Sequence, residues 1–218
     1  MSGLEIKEKN FIFKIYDSLM LPFRGLFLGT EGKFGLSSIR DERMCMVAAY
    51  CTGRVLDIGC GPGNYFIKKY IGEKKGIGVD IYSYDGVENI VKDMAKLPYE
   101  NETFDTVTLI AVGGHIPKQK REDEFKEFAR VLKIGGKLIM TEGEPISQYL
   151  RHKWLHFYMK IQGKNDVDTE RGMDEDEQFC MPKNEIMEYL NSPPLSFVFH
   201  KSFQWKLNNI YIARKCRL

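Results

Sequence analysis

Cysteine is scarce in this chain of 218 residues, and no two of its five cysteines stand at C-x-x-C spacing. Cys45, Cys51, Cys60, Cys180 and Cys216 are odd in number, which leaves no complete disulfide framework and gives no zinc-ribbon pattern. Reduced thiols in a cytoplasmic protein are the expectation. Long apolar runs are missing too. The run from 19 to 28 is interrupted by Pro22, Arg24 and Gly25, and a membrane-spanning helix needs roughly 20 apolar residues in a row. Glu5, Lys7, Glu8 and Lys9 charge the first residues, unlike a secretory leader. Net charge is nearly absent: 32 Lys and Arg against 30 Asp and Glu give +2. No field of one sign gathers nucleic acid over the whole surface, so no nucleic-acid partner is expected from charge. No repeat, low-complexity tract or linker divides the chain, which reads as one domain over 1–218.

The patterning from residue 54 onward is that of alternating strands and helices. Short apolar runs at 54–58, 76–80 (GIGVD), 88–93, 104–111 (FDTVTLIA) and 137–141 read as strands. Residues 64–71 and 122–132 read as helices, the second with Phe125, Phe128, Ala129 and Leu132 on one face. This alternation predicts a parallel sheet covered on both faces. Before it, 4–21 reads as a helix with Ile12, Ile15, Tyr16 and Leu19 at helical spacing, and 22–37 as a glycine- and aromatic-rich loop. A second helix is expected to start at Ser38, with Asp41 as its capping partner and Met44, Val47, Ala48 and Cys51 as its buried stripe. After the parallel part, 146–162 reads as a helix carrying Ile146, Leu150, Trp154, Phe157, Tyr158 and Ile161. A short helix at 183–190 follows. Runs 196–205 and 209–215, separated by three residues, predict an antiparallel hairpin.

The stretch RVLDIGCGPGN, residues 54–64, places three glycines directly after a strand. A dinucleotide fingerprint would be G-x-G-x-x-G; here Gly59, Gly61 and Gly63 are tighter by one, and Pro62 removes one N–H that a phosphate could use. A Walker loop fails as well, because Phe34 follows Gly32-Lys33 and Phe27 stands where its first glycine belongs. Ligands of open α/β sheets bind beyond the carboxyl ends of the strands. Asp80 closes the second strand, where a carboxylate can accept both hydroxyls of a ribose. Asp93 closes the third and is followed by Met94, a pair suited to an adenine.

The ordered set VLDIGCGPG, GVDI, KDMAKLP, FDTV and RVLKIGGKLIMTE resembles the class I S-adenosylmethionine-dependent methyltransferases, closely over 38–142 and most of all in their small-molecule, quinone-biosynthesis-like branch. The resemblance implies an α/β Rossmann-like fold: a seven-stranded, mostly parallel sheet with helices on both faces and a C-terminal antiparallel hairpin. It implies S-adenosylmethionine as cofactor and a small acceptor of apolar character. By carry-over, Asp57, Gly59, Cys60 and Gly61 line the methionine end. Asp80 and Ile81 flank the ribose, Asp93 and Met94 the adenine, and Ala111 the sulfonium side. The family's helix between the second and third strands has no room in 81–87, so a loop is expected there.

His115, just beyond the fourth strand, is the candidate to take a proton from the acceptor; read otherwise it is a loop histidine. Residues 1–37 are expected to form a lid, with Tyr16 and Arg24 toward the substrate; Phe23 and Phe34 read rather as packing. Residues 143–182 are expected to cap the substrate, with Tyr149 and His152 toward it and His156 on the same flank. No metal site is expected. The acidic stretch 166–177 imitates a calcium loop but has Arg171 where the turn glycine belongs, and NSPPL at 191–195 reads as a proline turn. Three alternatives stay open: an RNA or protein acceptor, a non-catalytic partner protein with this fold, and a nucleotide-binding oxidoreductase.

Overall fold

The computed structural model describes residues 11–23, 38–147, 149–150, 153, 157, 178 and 180–217. Seven strands form one sheet: β1 Val55–Ile58, β2 Gly76–Asp80, β3 Asn89–Ile90, β4 Phe104–Ile110, β5 Leu132–Gly143, β6 Leu195–Phe203 and β7 Asn208–Lys215. Their order is β3-β2-β1-β4-β5-β7-β6. The first five run parallel, and β7 and β6 are antiparallel additions. All four residues of β1 are buried, as a central parallel strand covered on both faces requires.

Alternation along the strands feeds two cores. Leu56, Ile58, Val107, Leu109, Leu138 and Met140 face one side. There they meet Phe125 and Phe128 of helix α3 (Arg121–Val131) and Ile186 and Leu190 of α4 (Lys183–Leu190). Val55, Ile139, Ile210 and Ile212 face the other side, against Val47 of α2 (Ile39–Ala48) and Phe66 and Ile67. The α2 stripe falls at the expected positions, with Met44, Ala48 and Cys51 packed around Val47.

Ser38 caps α2: its Oγ accepts the Asp41 N–H at 3.1 Å. The Asp41 carboxylate does not complete a capping box. It accepts from Tyr65 Oη at 3.0 Å, Tyr70 Oη at 2.9 Å and Lys69 Nζ at 3.2 Å. Burial alone would raise this carboxyl, but these hydrogen bonds outweigh it and hold it below its usual range. They also pin α2 to the helical turn after the glycine loop, a π-helical segment Ile67–Ile71 closed by Gly72 at φ 89°.

The crossover from β2 to β3 is a loop, and β3 has two residues. β5 begins at Leu132, before the expected 137, but Leu132 pairs with Phe104 and Lys137 with Thr106, so residues 133–136 bulge opposite Asp105 with Gly135 at φ 80°, and the unbroken ladder begins at Lys137 as expected. Helix α1 (Phe11–Phe23) overlaps the predicted 4–21 and runs two residues into the expected loop 22–37, although Ile12 and Leu19 are 74% and 62% exposed. Trp205 Nε1, in the β6–β7 turn, donates to its Ser18 Oγ at 3.4 Å. Within 146–162, residues 146, 147, 149, 150, 153 and 157 are helical. Residues 1–10, 24–37 and the acidic stretch 166–177 lie outside the described residues, so the lid reading of 1–37 and the calcium-like spacing stay expectations. No helix among the described residues is long and apolar enough to cross a membrane.

A fully buried arginine ties α3 to α4. Arg121, at the start of α3, donates from Nε to the Ile116 carbonyl at 2.9 Å, pairs with Glu185 of α4, and lies 3.4–3.5 Å from Gln178 Oε1. Glu185 keeps a second cation, Lys118 Nζ at 3.4 Å, so loss of Arg121 does not strand it. Arg121→Ala is expected to lower the unfolding free energy in urea by about 1.5–3 kcal/mol, the worth of a hydrogen bond to a charged group; a loss under about 1 kcal/mol would contradict this role.

Candidate active site

The glycine turn follows β1 and bends through left-handed backbone at Gly59, Gly61 and Gly63 (φ 65°, 65° and 76°). A Cβ on Gly59 would come within 2.7 Å of Val112 Cγ2, so this glycine lets the turn pass the end of β4. Among the described residues, a Cβ on Gly61 or Gly63 would meet nothing within 4 Å. With respect to those residues, these two glycines line open space.

Asp80 closes that space from the β2 side. It is 5% exposed, and its two oxygens accept the Gly61 N–H at 2.9 Å and the Tyr82 N–H at 3.0 Å. Cys60 N–H reaches the Val79 carbonyl at 3.1 Å, and Gly63 N–H the Asp85 carbonyl at 2.7 Å. The turn after β1 is thus held by the end of β2 and the loop that follows it. Asp57, in β1, is 2% exposed and accepts a 2.6 Å bond from Thr108 Oγ1 of β4. Burial pushes its carboxyl up to about 7, opposed by the Thr108 bond and reinforced by the charge of Asp80.

Beyond β4, Ala111 takes φ 58° and the chain enters a 3-10 turn, Gly113–His115. His115 is exposed at its end. Glu142, near the end of β5, lies beneath this turn. Its Oε1 accepts the Gly114 N–H at 3.1 Å. Burial pushes Glu142 up to about 7, against the Gly114 bond, the Arg43 charge and the Gly143 and Met181 N–H groups. Sequence reading missed Glu142 and Thr108. The signal for Glu142 was a carboxylate at the end of an otherwise apolar strand, in KLIMTE.

The carboxyl ends of β1, β2 and β4 therefore gather Asp57, Gly59, Cys60, Gly61, Asp80, Ile81, Ala111 and His115. The turn after β3 places Asp93 and Met94 differently from one another. The Asp93 side chain is exposed and accepts the Ala95 N–H at 3.1 Å, whereas Met94 is buried in the core. Beside Asp93 lies Glu124, pushed up to about 7 by burial, with Lys120 lowering and Asp93 raising it. Tyr16 is half-exposed on α1. Tyr149 is exposed, with the Lys153 ammonium 4.7 Å from its ring centroid. Arg24, Phe34, His152 and His156 lie outside the described residues. Among the described residues, no three His, Cys, Asp or Glu side chains cluster as metal ligands.

Comparison with known proteins places this geometry. Residues 56–140 match a family model described as a methyltransferase domain. The chain is 31% identical over 150 residues to an Arabidopsis thaliana tRNA (carboxymethyluridine(34)-5-O)-methyltransferase, covering 62% of this chain and 33% of that protein. It is 37% identical over 94 residues to human probable tRNA methyltransferase 9B, covering 39% of this chain and 20% of that one. A third relative is the ubiquinone/menaquinone biosynthesis C-methyltransferase UbiE of Ectopseudomonas mendocina, 35% identical over 92 residues, 39% of this chain and 35% of that one. The chain thus spans a third or less of the two tRNA-methyltransferase relatives. Among solved structures, the PH0226 protein of Pyrococcus horikoshii superposes with a TM-score of 0.59 at 22% identity, over 90% of this chain and 98% of that one. A likeness at that identity shows the fold.

Residues 56–140 match a methyltransferase domain, and the chain shares its fold with solved structures described as SAM-dependent methyltransferases. The turn fits S-adenosylmethionine, the ligand those descriptions name. Each Asp80 oxygen accepts one N–H and keeps a lone pair for a hydroxyl. A carboxylate at the mouth of the turn opposes a phosphate and suits a cation.

The buried carboxyls set a pH dependence. Asp57 and Glu142 keep their protons up to about pH 7 when folded, and unfolded carboxyls lose theirs near pH 4. Between these limits the folded chain binds more protons, so this contribution falls as pH rises, by at most about 1.4 kcal/mol per pH unit per group. Asp57→Asn and Glu142→Gln are each expected to flatten the fall in melting temperature between about pH 5 and 7.5. Slopes equal to that of the unsubstituted protein would contradict the assignment.

Proposed function

We propose that this chain transfers the methyl group of S-adenosylmethionine to transfer RNA. The observation that carries this reading is the reach of the plant likeness: 150 aligned residues extend well past the segment 56–140 that the family model matches. Likeness to a tRNA methyltransferase is therefore not confined to the cofactor half. The near-neutral net charge does not oppose it, because phosphate contacts need a local patch and not a global excess. The small acceptor stands as the second reading, supported by the UbiE likeness over 92 residues.

When bound, S-adenosylmethionine supplies a methyl group on positively charged sulfur. The tasks left to the chain are to hold, orient and exclude water; orientation alone is worth roughly 7–11 kcal/mol of barrier. In this reading Gly59, Cys60 and Gly61, with Asp57 behind them, line the methionine end. Asp80 accepts the ribose hydroxyls beside Ile81. Asp93 and the Met94 backbone meet the adenine, and Ala111 borders the sulfonium. The left-handed backbone at Ala111 turns the chain away from the cleft and sets the Gly113–His115 turn at its edge. His115 can take a proton there when the acceptor carries one. An acceptor carboxylate, ionised at neutral pH, needs no base.

Two measurements test the reading. Asp80→Ala is expected to weaken S-adenosylhomocysteine binding more than tenfold in calorimetry, since hydrogen bonds to a charged group are worth about 1.5–3 kcal/mol each; unchanged affinity would remove Asp80 from the site. Methyl-labelled S-adenosylmethionine incubated with bulk tRNA is expected to yield label that is ribonuclease-sensitive. An ester product would release that label as methanol in mild alkali. Label entering quinone precursors and not RNA would favour the second reading.

A further inference from the structure

The opposite end of the sheet carries a second concavity, remote from the glycine turn. Its volume is about 490 Å³, and it lies where β1 and β2 begin. Ala48 and Cys51 at the end of α2 form one wall, Tyr70 and Ile71 another, and Thr52, Gly53 and Arg54 the floor. Lys74 and Lys75 complete the rim. The walls are neutral. Tyr70 Oη is engaged by Asp41, and burial pushes the Cys51 thiol up to about 12, with Asp57 adding and Lys137 opposing.

The rim is cationic, and its cations are set side by side by the sheet itself. Val55 pairs with Gly76 in parallel register and its N–H reaches the Lys75 carbonyl at 2.8 Å. Arg54 therefore enters β1 beside Lys75 entering β2, on chains about 4.8 Å apart. Like charges placed opposite one another on neighbouring strands are destabilising. Among the described residues neither Arg54, Lys74 nor Lys75 forms an ion pair that would offset this. Asp105, whose Oδ2 accepts the Arg54 N–H at 2.8 Å, is neutralised by Lys133 at 2.9 and 3.0 Å. Glu73 is exposed and is not part of the lining. The Arg54 guanidinium is held against the Phe104 ring, 5.1 Å from its centroid, in the core on the α3 side of the sheet, so it stands behind the floor and not in the concavity. Two adjacent lysines at the rim of a concavity of nucleotide size form a receptor for an anion with several oxygens.

We propose that Lys74 and Lys75, with the charge of Arg54 behind them, form a phosphate-binding site at the amino-terminal end of the sheet. The chemistry it takes is a phosphate on a polyanion, either a phosphodiester of an RNA strand or a free polyphosphate. The site stands independently of the acceptor: tRNA methylation with no effect at these residues would remove RNA as the ligand of the site and leave the acceptor reading intact.

The test uses the full chain, the Lys74→Gln/Lys75→Gln double variant, Arg54→Gln, and a control double variant, Lys126→Gln/Lys201→Gln, with the same change in net charge on other surfaces. All four lysines are exposed, so folding is expected to persist, verified by melting temperature and S-adenosylhomocysteine binding. Anisotropy of a fluorescein-labelled RNA hairpin of roughly 20 nucleotides is followed between about 50 and 200 mM salt. Loss of two phosphate contacts is expected to reduce the slope of log affinity against log salt by about 1.8 and to weaken binding at least tenfold at low salt, with the control unchanged. Tripolyphosphate is the second arm. If it raises the melting temperature of the unsubstituted chain but not of Lys74→Gln/Lys75→Gln, while hairpin binding is alike in both, the site holds and its ligand is a free polyphosphate. If the site variants match the control on both probes, the proposal is overturned.

Discussion

The Asp80 carboxylate accepts one N–H from each side of the cleft, Gly61 from the turn after β1 and Tyr82 from the loop after β2. Those two bonds tie together segments that the sheet merely brings near. Behind them, Asp57 is sealed in by Thr108 and by the strands on either side. The resulting turn has left-handed backbone at three glycines and, with respect to the described residues, open space at two of them. The cradle is preorganised by backbone and by buried carboxylates, so a ligand entering it does not have to order the loop first. Such preorganisation lets an enzyme leave the difficult chemistry to its cofactor and contribute position.

The other elements position what surrounds that turn. The α2 helix is pinned through Asp41 to Tyr65, Tyr70 and Lys69, immediately after the glycines. The loop beyond β4 is held from below by Glu142 and from behind by Arg121 through the Ile116 carbonyl. The two ends of the sheet also differ in charge. Acidic groups collect at the carboxyl ends, and basic groups with no ion pair among the described residues rim the amino ends of β1 and β2. A net charge of +2 hides that separation.

Much of this was legible in the sequence because local chemistry and fold agree there. GIGVD ends its strand at Asp80, KNEIMEYL fills Lys183–Leu190, and the two C-terminal runs pair as a hairpin, although its turn is 204–207 and not the expected 206–208. The short 81–87 segment foretold the missing crossover helix and the two-residue β3. What was illegible depends on long-range contact. Asp41 resembled a capping partner because its neighbours Tyr65 and Tyr70 are brought to it by the sheet. Glu142 was passed over because a carboxylate in a strand carries no mark of the loop that will cover it. Arg121 drew no notice just before the expected helix 122–132, and its burial follows from α4 and Gln178. The regular pairing of β5 begins at the expected Lys137, whereas the preceding pair Leu132–Phe104 and the bulge between them carry no local signal.

The central claim is that the turn at Gly59–Gly63 holds an adenosyl cofactor with no phosphate. Thermal unfolding with S-adenosylmethionine, S-adenosylhomocysteine, NAD and no ligand tests it most directly. Ligand at about 100 times its dissociation constant adds about 2.7 kcal/mol, a rise of roughly 5–10 °C for a chain of this size. The account predicts that rise with both adenosyl compounds and none with NAD. A rise with NAD alone would contradict it, and the turn would then be a dinucleotide site after all.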